Sequence, residues 1–201
     1  METREVTRRG GRPRCLVLVA GPPGSGKSSV AAIVAAGLQW PVVARDALKE
    51  TLFEALGVGD RAWSRRLGTA SWDLLLQVTG WMMATGGPFL LDNNFRGPDP
   101  ALMDLAAAFG YSVRVLWCDA PPDVLAARFR ARWESGRRHA GHRDGEVWPE
   151  VEAQLAAGAY SRAAWNGYSV LVLDTSRPLT ALAADAWAWL EESGSGAPCP
   201  I

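Results

Sequence analysis

Residues 21–28, GPPGSGKS, hold the densest chemical signal in the chain. Glycines at 21, 24 and 26 let a backbone turn its N–H groups inward around an anion. An apolar run, Cys15 to Ala20, precedes the segment and a helical pattern follows it. The helix start therefore adds its positive end to the same place. Pattern and context match the phosphate-binding loop GxxxxGK[ST] in full. Lys27 is placed to reach the β- and γ-phosphates of ATP, and Ser28 to ligate Mg²⁺. Gly21, Gly24, Ser25, Gly26 and Ser29 complete the cradle. All but two of the 21 basic residues are arginine, the exceptions being Lys27 and Lys49. A chance glycine-rich turn would have to place one of those two here.

Acids follow at two later points. Asp46 comes directly after a short second strand pattern, Pro41 to Ala44. In a doubly wound sheet the ends of strands one and two open on one crevice. Asp46 is then near the γ-phosphate, where it can accept the proton of an incoming hydroxyl. It also fits the N-cap of a helix over 46–56, and the two roles are compatible. Lys49, one turn on, lies on the same side. A third strand, Phe89 to Asp92, ends in an acid resembling a Walker B position, able to hold Mg²⁺ through water or to bind an acceptor. The plain alternative there is Asx-turn chemistry. Asn94 and Arg96 follow and could fix acceptor hydroxyls.

Arg128 and Arg132 are four residues apart on the helix predicted over 122–133. They lead into Glu134–Trp148, which carries Arg137, Arg138, His139, His142, Arg143 and glycines but little apolar content. The segment is expected to be a flexible basic lid, with an arginine neutralising charge in a transition state. The alternative is a solvated helix face. Among the lid arginines, Arg137 is assigned to the acceptor. His139 and His142 lack a third ligand nearby, so a metal pair is not expected. Trp63, Trp72 and Trp81 fit a core better than a pocket.

Five short apolar runs must carry these groups: 15–20, 41–44, 89–92, 112–118 and 169–173. They alternate with helical patterns over 28–38, 46–56, 60–84, 100–109, 122–133, 150–159 and 179–190. That order predicts an α/β fold with a five-stranded parallel sheet covered by helices on both faces. The expected organisation is a basic arm over 1–13, one domain over 14–192 and a disordered Gly/Ser/Pro tail over 193–201.

Composition narrows the function. The chain has 201 residues, 48% hydrophobic and 21% charged, with 21 basic against 21 acidic side chains. Zero net charge argues against a grip on long nucleic acid. Three scattered cysteines give no CxxC pair, so no zinc site or disulfide framework is indicated, and Cys15 and Cys118 read as buried. No run is long enough to span a bilayer, and the expected location is the cytoplasm.

Taken with the motifs GPPGSGKS, ARDALKETLFEALG, LLDNNFR, DAPPDVLAARFRARWESGRRHAGH and VLDTSRPL, the chain resembles the small P-loop kinases. That group includes polynucleotide 5′-hydroxyl kinases, chloramphenicol phosphotransferase, zeta-type toxins and AAA-like ATP-binding proteins of bacteria. The resemblance covers about residues 15–192. It implies that Asp46 is the general base, Arg132 the lid arginine and Arg128 a neighbour of the adenine. Thr175, in the loop after the fifth strand, would help cover the base. Some members have arginine where this chain has Lys49, so acceptor recognition does not carry over. The expected activity is transfer of the γ-phosphate of ATP to a small hydroxyl compound. A polynucleotide 5′-hydroxyl kinase and a nucleotide-controlled binding module are the alternatives.

Overall fold

A computed structural model of the protein describes residues 13–192. The expected arm, apart from Pro13, and the expected tail lie outside the described residues. Five strands form one sheet: β1 (Cys15–Ala20), β2 (Val42–Ala44), β3 (Phe89–Asp92), β4 (Ser112–Asp119) and β5 (Ser169–Asp174). Their order is β2-β3-β1-β4-β5, and every pairing is parallel. Parallel neighbours need crossovers, and helices supply them. These are α1 (Lys27–Leu38), α2 (Arg45–Leu56), α3 (Arg61–Thr85), α4 (Pro100–Ala108), α5 (Pro122–Glu134), α6 (Asp144–Ala156) and α7 (Leu179–Glu192).

Alternation along β1 builds two cores. Leu16, Leu18 and Ala20 join Leu75 and Met83 of α3 and Leu102 of α4 on one face. Val17 and Val19 join Val30 and Val34 of α1 and Leu182 and Ala186 of α7 on the other. This is why β1 is apolar at every position rather than at every second one. Cys15 and Cys118 are buried in the second core. Burial pushes the Cys118 thiol up to about 12, so it stays protonated.

The sheet also fixes where the site opens. After β1 the chain crosses towards β2, and after β3 it crosses the other way to β4. The loops following β1 and β3 diverge, and a crevice forms outside their carboxyl ends. Asp92 pairs with Val19 on one side and with Ala44 on the other. The phosphate loop, Asp92 and the start of α2 are thereby neighbours.

Two boundaries depart from expectation. The helix after β2 begins at Arg45, its cap position is Ala44, and no side chain caps it. Asp46 is therefore not an N-cap. Strand runs directly into helix with no loop between, so the cap position falls on a strand residue. Asp46 lies in the first turn, where a carboxylate complements the helix dipole. The second departure is α6, which begins at Asp144, inside the segment expected to be a loop. Gly145 and Pro149 disguise it as a turn. Phe129 of α5, packed at a tilt against Trp148 with ring centroids 5.0 Å apart, and buried Val151 hold it despite the backbone bond that Pro149 cannot make.

Candidate active site

The phosphate loop is shaped by contact with its neighbours. Gly21 has φ 136, and a Cβ there would lie 2.0 Å from the Cys118 carbonyl oxygen. Gly24 has φ 84, and its Cβ would lie 2.5 Å from the Leu125 carbonyl oxygen. Only glycine allows the loop to sit this close to β4 and α5. Inside the loop, Lys27 is buried and donates from Nζ to the Pro22 carbonyl at 2.8 Å. Burial lowers its pKa, against the pull of Asp92 and Asp46. The Ser25 hydroxyl is buried and, among the described residues, has no hydrogen-bond partner. A buried ammonium resting on one carbonyl, beside an orphaned hydroxyl, fits a loop made to close on phosphate oxygens.

The Ser28 hydroxyl lies beside the Asp92 carboxylate. Burial raises the Asp92 pKa, and the Ser28 hydroxyl and the Lys27 charge oppose it. A hydroxyl and a carboxylate together, next to the loop, form an oxygen donor set suited to Mg²⁺. Ser28 would be its direct ligand and Asp92 its partner through water.

Asp46 faces the same crevice. Its Oδ2 accepts from Arg138 Nη2 at 2.7 Å. Burial pushes this carboxyl up, but the groups around it, Arg138 foremost, outweigh burial and the pKa is lowered overall. Arg138 also lies 3.6 Å from Glu50 and 3.5 Å from Asp144. Arg132 reaches Asp144 at 3.3 Å. His142 completes the cluster: Nδ1 is 3.1 Å from Arg138 and Nε2 is 2.8 Å from Glu50. Arginine only donates, so Nδ1 accepts and Nε2–H donates to Glu50. Burial, and then the Arg138 charge, hold the His142 pKa down to about 3. His142 is thus a neutral strut, and no metal role is needed to explain it. His139 bonds Glu54 and stacks on Phe53.

Lys27, Ser28, Asp46, Lys49, Asp92, Asn94, Arg96, Arg132 and Arg138 all line one cavity of about 300 Å³. Arg96 stands at its rim, donating to Gln154 at 2.7 Å and to the Tyr160 hydroxyl at 3.3 Å. Arg137 does not belong to it. That residue is exposed, and its backbone N–H donates to Ser135 Oγ at 3.4 Å. The chain leaves α5 through Gly136 at φ 65, and it is Arg138 that turns inward. Adjacent arginines are identical in type, so only the turn distinguishes them.

A separate depression holds Gly26, Ser29, Arg128 and Thr175. Arg128 donates to the Thr175 hydroxyl and carbonyl, both at 2.9 Å. The two residues assigned to the base are therefore together. The tryptophans scatter. Trp81 is 62% exposed and is not core. Trp63 bonds the Gly57 carbonyl at 2.9 Å, and Trp72 packs edge-on to Phe95 beside Asn94 and Arg96.

The segment expected to be a lid is docked in this structure. Its short 3₁₀ turn, Ala140–His142, lies on α2 and α3 through the His142–Glu50 bond and through Ser64 Oγ donating to the Gly141 carbonyl at 2.8 Å. Arg138 spans the crevice from that segment to Asp46.

A family model described as AAA domain matches residues 16–157, from β1 to the end of α6. The chain belongs to the AAA domain family. No curated protein matches it. Among solved structures, an inferred kinase from Chloroflexus aurantiacus superposes on this AAA domain with TM-score 0.72 at 26% identity, covering 88% of this chain and 98% of that one. A sugar kinase from Janibacter sp. gives TM-score 0.58 at 24% identity, over 89% and 95% of the two chains. An APS kinase from Mycobacterium tuberculosis, in complex with AMPPNP and APS, gives 0.52 at 21%, over 89% and 99%. The fold is that of the P-loop kinases. No helix among the described residues is long and apolar enough to cross a membrane.

Proposed function

We propose that this AAA domain is an ATP-dependent phosphotransferase that moves the γ-phosphate of ATP to a hydroxyl group of a small molecule. The observation that carries this reading is Asp46, a carboxylate held at the mouth of α2 in the same cavity as Lys27. A carboxylate there, with basic side chains over it, favours transfer to a hydroxyl over a nucleotide-controlled switch. The likeness to the Chloroflexus protein points the same way.

Each residue then has a task. Lys27 and the loop N–H groups hold the phosphates in line. Mg²⁺, on Ser28 and through Asp92, would supply charge neutralisation between phosphate oxygens. Asp46 takes the proton of the acceptor hydroxyl as its oxygen bonds phosphorus and the bond to the ADP oxygen breaks. Arg138 keeps Asp46 ionised and fixes its orientation through Oδ2, which leaves Oδ1 for the hydroxyl. Arg132, tied to Asp144, presents charge to the transferring group. Arg128 and Thr175 form the wall for the base.

Arg132→Ala is expected to lower kcat by about 10²-fold or more, the usual cost of losing one preorganised charge. ATP affinity should change by only a few fold, because that charge is needed mainly in the transition state. Single-turnover rates beside equilibrium ATP binding check this. Equal losses in both would make Arg132 a ground-state ligand.

ATP consumption against nucleosides, sugars, antibiotics and 5′-hydroxyl oligonucleotides, at low and moderate salt, tests the acceptor class. Expected is a small-molecule acceptor whose kcat/KM changes little with ionic strength. Binding through many phosphates weakens steeply with salt. Efficient, strongly salt-dependent use of oligonucleotides alone would replace this reading with a polynucleotide kinase.

A further inference from the structure

Four cations around the crevice face an acid. Arg61 pairs with Glu150, Arg132 with Asp144, Arg138 with Asp46 and Arg143 with Glu146. Arg45 and Lys49 differ. Among the described residues neither forms an ion pair, yet both head groups are fixed. Arg45 donates from Nη2 to the Gly68 carbonyl at 2.6 Å and from Nε to Ser71 Oγ at 3.3 Å, over the Trp72 ring. Lys49 donates from Nζ to Ser64 Oγ at 3.0 Å, with the Phe53 ring 5.3 Å away. These partners are neutral. They hold the cations in place without cancelling either charge.

The two charges converge. A Cβ on Gly68 would lie 3.7 Å from Lys49 Nζ and 3.8 Å from Arg45 Nη2, so both cations meet over a turn of α3 that has no side chain. They stand four residues apart on α2, a spacing at which like charges destabilise a helix. Burial lowers the pKa of Lys49; Asp46 opposes this, while the Arg45 charge adds to it. Asp46 is the largest opposing charge for Lys49 and acts on Arg45 too, but this one carboxylate is shared with Arg138, so it faces three cations. Exposed Arg65, one turn before Gly68 and lining the same cavity, adds a third positive group. Two fixed, partly buried like charges whose hydrogen-bond partners are neutral are balanced when a ligand brings further negative charge.

We propose that Arg45 and Lys49, over Gly68, form a subsite for an oxyanion carried by the acceptor. This rests on the phosphotransfer reading and narrows it: the acceptor is a hydroxy compound that also bears a carboxylate or phosphate group. The Nη1 hydrogens of Arg45 and two ammonium protons of Lys49 are uncommitted in the bonds above and can donate to it. Arg45 and Asp46 are consecutive and line one cavity, so one compact molecule can present its hydroxyl to Asp46 and its anion to Arg45 and Lys49. A neutral polyol would leave both charges uncompensated.

The test uses acceptors with one carbon skeleton in three forms: the neutral polyol, its carboxylic acid and its phosphate ester. An anionic form should be preferred in kcat/KM by at least about tenfold, the low end for hydrogen bonds to charged groups. Whether the acid or the ester wins identifies the source of the oxyanion. Arg45→Gln and Lys49→Gln should each erase most of that preference, and the charge-keeping Lys49→Arg should restore part of it. A second arm needs no turnover. With the loop filled by a non-hydrolysable ATP analogue, sodium sulfate should raise the Tm of wild type more than that of Lys49→Gln, with Lys49→Arg behaving like wild type. If sulfate discriminates in this way but no acceptor is phosphorylated, the subsite stands and the phosphotransfer reading fails. If neutral polyols are used as well as their acids and the sulfate shift is the same in all variants, the subsite is overturned and phosphotransfer stands.

Discussion

Lys27→Ala should abolish most phosphoryl transfer while the protein stays folded. Lys27 brings the one full positive side-chain charge of the loop to the β- and γ-phosphates. Among the described residues its ammonium hydrogen-bonds the Pro22 carbonyl and pairs with no acid, so removal breaks no ion pair and leaves the packing of Gly21 and Gly24 untouched. A loss of about 10²–10³-fold is the scale for one preorganised electrostatic contact. Steady-state turnover, ATP binding and a thermal melt together check it. Wild-type turnover and ATP affinity in the mutant would sink the assignment of the loop.

The second large effect is expected at Asp46. Asp46→Asn keeps the size and one hydrogen-bond acceptor for Arg138 but removes the basicity. Transfer should fall by about 10²-fold or more, as for a general base, and ATP binding should persist. The structure sharpens this, because Asp46 does not cap α2. A fall in activity cannot then be charged to a lost cap. The pH profile gives an independent reading. A base must be ionised, and the Asp46 pKa is lowered overall although burial alone would raise it. The acidic limb of kcat/KM therefore lies below the ordinary carboxylate range. Arg138→Gln removes the opposing charge, lets burial dominate and should move the limb upward. A limb that stays in place would show that Arg138 does not govern Asp46.

The parallel sheet, its helices and the phosphate loop were legible because each has a short-range signal. β1 is apolar at every position, and the loop carries its glycines at fixed offsets. Asp92 ends β3, and Asp46, Asn94 and Arg96 come within a few residues of a strand end; they could be placed because strand ends open on the crevice. The segment over 134–148 was less legible. Its inward residue depends on the left-handed turn at Gly136, which decides between Arg137 and Arg138. The start of α6 was hidden by Gly145 and Pro149, since long-range packing of Trp148 on Phe129 overrides the local breakers. The meeting of Arg45 and Lys49 over Gly68 was beyond reach for the same reason. It requires the angle at which α3 crosses α2, and a lone glycine inside a helical pattern does not reveal that.

The most direct measurement follows the phosphorus itself. ATP labelled at the γ-phosphate is incubated with the protein, Mg²⁺ and the best acceptor of the panel, and the products are separated and identified. The account predicts label in a phosphate ester of the acceptor, formed in step with ADP and lost in Asp46→Asn. Label found only as inorganic phosphate, at a rate no acceptor changes, would contradict it and leave a nucleotide-hydrolysing module in its place.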